Sequence, residues 1–300
     1  MSNPLLLLPD FLLIALGWAL CRYTALNRPV WDGVERLVYN LLFPVLLFTS
    51  IVKSPLDAAQ LASLAAATLG LLAIGIALAL ALGRWPGVDP RLHASGAQTA
   101  YRFNSYIGLA LAERLGGAQG LAWMALVIAI SVPIVNVAAV WPLARHGGHS
   151  TGRELARNPL IIATLAGLLA NAAGLVLPGV VATTLQRIGV AALPLGLMAV
   201  GAGLTVGALK ASPRLAAALL TIRHAVLPAV AIGLAALFAL APEQRTILVL
   251  FAALPTSAVS YVLAARMGGD GSFVAGLVTL STVLGAVGIP LWLAAASALR

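Results

Sequence analysis

Long apolar runs and short polar interruptions alternate along the whole chain. Cutting it at charges, prolines and turn residues leaves ten apolar stretches, at about 5–21, 37–52, 58–83, 94–113, 119–141, 159–177, 181–207, 215–240, 245–264 and 272–297. Most approach the roughly 20 residues that a helix needs to cross a bilayer. In lipid only helices and closed barrels satisfy every backbone polar group. A barrel strand would alternate apolar and polar positions, and runs such as Leu71 to Leu82 do not. The pattern therefore predicts an all-α integral membrane protein of ten transmembrane helices.

Composition sharpens this. Of 300 residues, 61% are hydrophobic and 9% charged, and the mean hydropathy is +1.01. A soluble domain covers its surface with about 25% charged residues. This chain cannot, which excludes soluble enzymes, nucleic-acid-binding domains and disordered tails. The lone Cys21 permits no internal disulfide. The net charge of +9 comes from 18 basic residues scattered singly between apolar runs, so it reads as membrane orientation. No Lys or Arg precedes the first stretch, while Arg22 and Arg28 follow it, unlike a cleaved signal peptide. Thirteen basic residues, Arg28, Arg102 and Arg223 among them, lie in or beside odd-numbered connections. Only Lys53, Arg114, Arg187 and Arg245 lie in or beside even-numbered ones. By the positive-inside rule both termini are external.

The two halves echo each other. Asn3-Pro4 opens the first stretch and Asn158-Pro159 the sixth; Pro44 interrupts the second and Pro194 the seventh. Phe103-Asn104-Ser105 aligns with Pro255-Thr256-Ser257, and Arg114-Leu115-Gly116-Gly117 with Arg266-Met267-Gly268-Gly269, at one constant offset. Five spans per half is an odd number, so the second half enters the membrane upside down. Inverted repeats of this kind build many secondary transporters, whose substrate lies near the midplane where helices are discontinuous. The polar connection from Ala144 to Arg157 divides the halves and holds no soluble domain.

Span nine carries the clearest interruption. Pro255 has no N–H and clashes with the preceding turn, and it lies roughly 15 Å from either end of its span at 1.5 Å per residue. A half-helix starting there would present free N–H groups beside the Thr256 and Ser257 hydroxyls, a terminus that attracts anions. Span four has its counterpart at Arg102, Phe103, Asn104 and Ser105. The competing reading is a pair of kinked helices whose polar groups satisfy one another. Arg102 has two destinations, snorkelling to the cytoplasmic headgroups or binding an anion. His224 reads as interfacial, His146 and His149 as loop residues without metal-site spacing, and Gly203 with Gly207 as a close-packing pair.

Asn158-Pro159-Leu160-Ile161 through Gly167, Ala192-Leu193-Pro194-Leu195, Arg102-Phe103-Asn104, Leu254-Pro255-Thr256, Leu280-Ser281-Thr282 and Ile289-Pro290-Leu291 occur here in one order. In these motifs the chain resembles the auxin efflux carrier family, over its full length. The resemblance implies two inverted five-helix repeats, 1–150 and 151–300, in the fold of the bile-acid, arsenite and riboflavin transporter superfamily. Spans one, two, six and seven would form a scaffold, commonly dimeric, broken at Pro44 and Pro194. Spans three to five and eight to ten would form an elevator-like transport unit, with four and nine crossing at unwound centres. It implies a small organic anion, a carboxylate, as substrate. Asn104 matches the crossover asparagine and Pro255 the crossover proline; Asn136, Ser281 and Thr282 match polar positions lining the crossing. Phe103 replaces a common proline, which implies a milder break in span four. The short connection between spans five and six resembles bacterial members, hence a multi-pass protein of the bacterial inner membrane.

No Gly-rich loop ending in Gly-Lys-Ser/Thr is present, so the chain itself hydrolyses no nucleotide. No cofactor or metal is implied, and the coupling ion, H+ or Na+, stays open beside uniport. All nine acids, Asp10, Asp32 and Glu35 among them, fall at or beyond the ends of the predicted helices. A membrane-embedded enzyme would need a catalytic constellation in the spans, and none is visible. An anion channel or a non-transporting sensor on the same fold is the remaining alternative.

Overall fold

The computed structural model describes residues 8–53, 58–144, 159–204, 212–257 and 259–298. All regular elements among them are helical. They are α1 (Leu8–Tyr23), α2 (Arg28–Leu37), α3 (Phe43–Lys53), α4 (Ala58–Ala81), α5 (Pro90–Gly96), α6 (Ser105–Ala144), α7 (Pro159–Ala172), α8 (Gly179–Val190), α9 (Ala192–Ala202), α10 (Pro213–Thr221), α11 (Leu227–Leu237), α12 (Pro242–Ala253), α13 (Val259–Arg266) and α14 (Gly271–Ala298). Among the described residues, six stretches are long and apolar enough to cross a membrane: Arg28–Lys53, Leu61–Arg84, Pro90–Ala139, Gly179–Ala202, Pro213–Leu237 and Gly271–Ala298. Asn3, His146, His149, Asn158 and Gly207 lie outside the described residues.

Several interruptions trace to proline. A single π turn, Val38–Leu42, precedes Pro44, and another, Ile222–Val226, precedes Pro228. Each proline leaves the carbonyl four residues earlier without its helical N–H, and a wider turn absorbs the mismatch. Pro194 stands in the first turn of α9, just past a turn at Ala191. Pro290 lies within α14, which continues through it. Inside α6 the interruption is a glycine: Gly117 has φ +54°, a conformation costly for a residue with a Cβ. Spans four and five of the sequence reading are joined there by a kink.

One expectation needs correction. The second span was predicted to begin at 37, but its helical run begins at Arg28. The first ten residues are amphipathic: Trp31 is buried, while Arg28 pairs with Asp32 at 2.9 Å and with Glu35 at 2.9 Å. Asp32 and Glu35 are therefore inside a helical span. Asp10 keeps its expected place at a helix end, in the first turn of α1; it is buried and paired with Arg114 of α6, whose Nη2 donates to Oδ1 at 3.2 Å and whose Nε lies 2.6 Å from Oδ2.

Helices α1 and α9 pack along each other, and α3 packs against α7 and α8. Separately, α12 packs against α4, α6, α11 and α14. The approach of α1 to α9 is backbone to backbone: a Cβ on Gly17 would collide with the Met198 carbonyl, and one on Gly201 with the Ile14 carbonyl. Small residues at such contacts let membrane helices close up, where packing rather than hydrophobicity drives association. Overpacking typically costs about 1–3 kcal/mol. Gly17→Val and Gly201→Val are each expected to lower the melting temperature in detergent by at least several degrees, whereas Gly33→Val, with nothing within 4 Å of its Cβ position, leaves that contact intact. Unchanged melting of both first variants would refute the close approach.

Candidate functional site

Two helical runs lose their helix at mid-length. After α5 and a short 3-10 turn (Ala97–Ala100), residues 101–104 are non-helical before α6 begins. After α12, residues 254–257 are non-helical before α13. The break at 101–104 is a full interruption, although no proline marks it. The two breaks meet: the Asn104 backbone N–H donates to the Pro255 carbonyl at 2.9 Å. Phe103 packs edge-on against Phe251, with ring centroids 4.5 Å apart.

Buried backbone groups must find partners, and the break at Pro255 can be followed atom by atom. Pro255 ends the helix, so carbonyls in the last turn of α12 lose their usual donors. Arg223 supplies them, donating from Nη2 to the Phe251 carbonyl at 2.9 Å and from Nε to the Leu254 carbonyl. The Pro255 carbonyl takes the Asn104 N–H. Beyond the break, the Thr256 N–H donates to Ser281 Oγ at 2.9 Å, and that oxygen lies 2.8 Å from His224 Nε2. Trp292 Nε1 donates to the His224 carbonyl at 2.8 Å, the carbonyl that Pro228 leaves free. Consecutive residues Arg223 and His224 thus brace the two sides of one break.

On the other strand of the crossing, Asn104 Oδ1 accepts from the N–H groups of Tyr106 and Ile107, at 3.1 and 3.2 Å, and so caps the start of α6. Arg102 donates from Nη2 to Asn136 Oδ1 at 2.8 Å and from Nη1 to Gln98 Oε1 at 3.4 Å. At 8% exposure it is buried, which overturns snorkelling. The same correction applies to Arg223, counted as an orientation charge and in fact 1% exposed, and to His224, which is bonded inside the protein and not interfacial.

Beside the crossing lies a cavity of about 420 Å³, within the size range of small-molecule sites. One wall comes from the crossing, with Asn104, Ser105, Tyr106 and Ser257; the other comes from Arg28, Glu35 and Tyr39 with residues of α7 and α9. Tyr106 stacks on Phe43 of α3 across this boundary, centroids 5.0 Å apart. Of the predicted site residues, Asn104, Ser105 and Ser257 line the cavity. Arg102, Phe103, Asn136, Pro255, Thr256, Ser281 and Thr282 stand behind the lining. Thr282 Oγ1 bonds within its own helix, to the Val278 carbonyl at 2.9 Å. The Thr256 and Ser260 hydroxyls are buried without a partner among the described residues.

Sequence reasoning missed Glu35, Tyr39 and Tyr106 as cavity residues, and Arg223 and His224 as braces. The available signals were two adjacent basic residues four and five positions before Pro228, and a polar face at helical spacing on Arg28, Asp32 and Glu35.

A family described as membrane transport protein matches residues 89–293, a range containing both breaks. An uncharacterized transporter of Methanothermobacter thermautotrophicus is 26% identical over 287 residues, which cover 93% of this chain and 94% of its own length.

Two neighbouring hydroxyls on α14 separate a brace from a bystander. Ser281→Ala leaves the buried Thr256 N–H without its acceptor, and is expected to cost about 1–3 kcal/mol. Thr282→Val removes only a bond within one helix, to a carbonyl that keeps its helical N–H donor, and is expected to cost clearly less than Ser281→Ala. Chemical or thermal unfolding in detergent measures both; equal losses would contradict the bonding described here.

Proposed function

The chain belongs to the membrane transport protein family, that of the auxin efflux carriers, and we propose that it is a secondary or facilitative carrier of a small organic anion. It is a multi-pass membrane transport protein and not an enzyme. The observation that carries the substrate reading is the crossing itself. Two helix N-termini, at Ser105 of α6 and Val259 of α13, open on one cavity. The Tyr106 and Ile107 N–H groups are capped by Asn104 Oδ1 and the Val259 N–H by Ser257 Oγ at 3.3 Å, so what these ends bring to the cavity is chiefly the partial positive charge of the helix dipole. A carboxylate is the group that matches them, with the Ser105 and Ser257 hydroxyls and the free end of the Asn104 amide as further partners.

The mechanism we assign is alternating access with an elevator-like movement. The packing described above supports a division in which α1, α2, α3, α7, α8 and α9 form the scaffold and the remaining helices the transport unit. The cavity lies between the two groups. Sliding one group past the other would carry the crossing, with its bound anion, from one side of the membrane to the other. Ten spans in two inverted repeats, a homodimer through the scaffold, external termini and the bacterial inner membrane complete the reading. Export is the direction assigned. Glu35 brings a carboxyl to the cavity wall, so a proton-coupled cycle has a candidate group, and Na+ remains the competing coupling ion.

Purified protein screened by thermal shift against C3 and C4 dicarboxylates, keto acids, aromatic acids and amino acids is expected to be stabilised by at least one carboxylate. At 100 times the dissociation constant a ligand contributes about 2.7 kcal/mol. In proteoliposomes the same compound is expected to show saturable counterflow. Asn104→Ala and Pro255→Ala are expected to abolish it while the protein still reaches the membrane. Stabilisation by cations alone, non-saturating flux, or wild-type transport by both variants would overturn the proposal.

A further inference from the structure

Crossed, broken helices bring four helix ends close to one centre. The C-terminal ends of the run 90–100 and of α12 are negative, and the N-terminal ends of α6 and α13 are positive. Each end carries roughly half an elementary charge, so the four by themselves would cancel, and the crossing would prefer neither sign. The two buried arginines break that balance. Arg223 sits on the C-terminal end of α12, bonded to the Phe251 and Leu254 carbonyls. Arg102 follows the C-terminal end of the other run, and its guanidinium is held beside that end by two neutral side chains, Gln98 at 3.4 Å and Asn136 at 2.8 Å. Both are more than nine-tenths buried, and neither takes part in an ion pair among the described residues.

We propose that Arg102 and Arg223 neutralise the two negative helix ends and so make the crossing a net positive site whose missing counter-charge is the transported anion. Buried charges are ordinarily paired within the protein, because leaving water costs several kcal/mol per ion. Here the carbonyl ends and neutral side chains offset part of each guanidinium, and among the described residues no carboxylate pairs with either; Glu35 on the opposite wall of the cavity is held by Arg28. Two unit charges against two half charges leave a surplus, added to the positive ends of α6 and α13. Arg223 does this without lining the cavity: it positions the break and sets its potential, and contacts no substrate. This assignment rests on the reading of the crossing as an anion site.

A charge-sensing thiol reaction tests it without knowledge of the substrate. With Cys21, the one native thiol, replaced by Ser, Ser257→Cys places a thiol on the cavity wall. Its modification by an anionic sulfonatoethyl methanethiosulfonate is compared with that by a cationic trimethylammonioethyl one, each normalised to a free thiol in solution. Both reagents meet the same thiolate fraction, so their ratio reports local potential. With both arginines present the anionic reagent is expected to win. Arg223→Met and, independently, Arg102→Met are each expected to lower the ratio about tenfold or more, one charge at this range in a low-dielectric site being worth at least that. Arg223→Lys keeps the charge and is expected to keep most of the ratio, although its single ammonium cannot bridge both carbonyls as the guanidinium does. A ratio unmoved by both Met variants, or lowered equally by Arg223→Lys, would overturn the assignment and leave the anion site standing. No preference for the anionic reagent with both arginines present would overturn the anion site as well. If Arg223→Met does not fold, Arg102→Met carries the same expectation.

Discussion

The hydrogen bond from the Asn104 N–H to the Pro255 carbonyl is the contact on which the centre of this protein depends. Backbone without helical partners cannot face lipid, since each unpaired group there costs several kcal/mol. Two broken segments can exist in a membrane only if they, or side chains aimed at them, answer each other's needs. Here Asn104 and Pro255 do so directly, while Arg223, Ser281 and the Asn104 side chain answer the rest. The bracing groups come from α10–α11 and α14 as well as from the crossing segments. The unwound centre is thereby held by its neighbours as one body, as the proposed elevator movement would require.

The polar groups of the protein divide by task accordingly. Arg102, Asn136, Ser281 and His224 satisfy backbone or one another behind the cavity, whereas Ser105, Ser257 and the Arg28–Glu35 pair face it. A residue behind the wall shapes the site through the backbone it holds; one on the wall is available to solute. The Arg28–Asp32–Glu35 cluster also shows why a nearly acid-free chain still has a charged wall. Its partners sit one helical turn apart on α2, so the helix keeps an apolar face for Trp31 while its polar face lines the cavity.

The all-helical, membrane-crossing character was legible because a helix facing lipid carries a long, unambiguous apolar run. The breaks at 101–104 and 254–257 were legible for the converse reason: Asn104, Pro255 and Thr256 are conspicuous where everything around them is apolar. Residues 28–36 were not, because a helix with one face on a polar cavity has the composition of a loop. Arg223 and His224 were misread for a different physical reason. A basic residue near a span end looks the same in sequence whether it reaches headgroups or turns inward, and only the partner decides. At Phe251 and Leu254, 28 and 31 residues further along, no pattern marks that α12 will end with free carbonyls needing a donor from α10–α11. Gly17 and Gly201 were equally silent, since glycine is frequent in membrane helices and a backbone contact leaves no periodicity.

A positive crossing has a consequence for direction within the proposed carrier cycle. A charge carried through the full membrane field changes in energy by about 2.3 kcal/mol per 100 mV, and a mobile unit bearing Arg102 and Arg223 carries such charge with it. In that proposed cycle an interior-negative potential would draw the unloaded unit toward the cytoplasmic side. Binding a carboxylate there reduces the surplus, so the loaded unit moves outward against a smaller electrical force than the empty one would feel. The return of the empty unit is then the voltage-driven step. If the crossing is the proposed anion site, the same fixed charges would bias the proposed cycle toward export, whether or not a coupling ion also takes part.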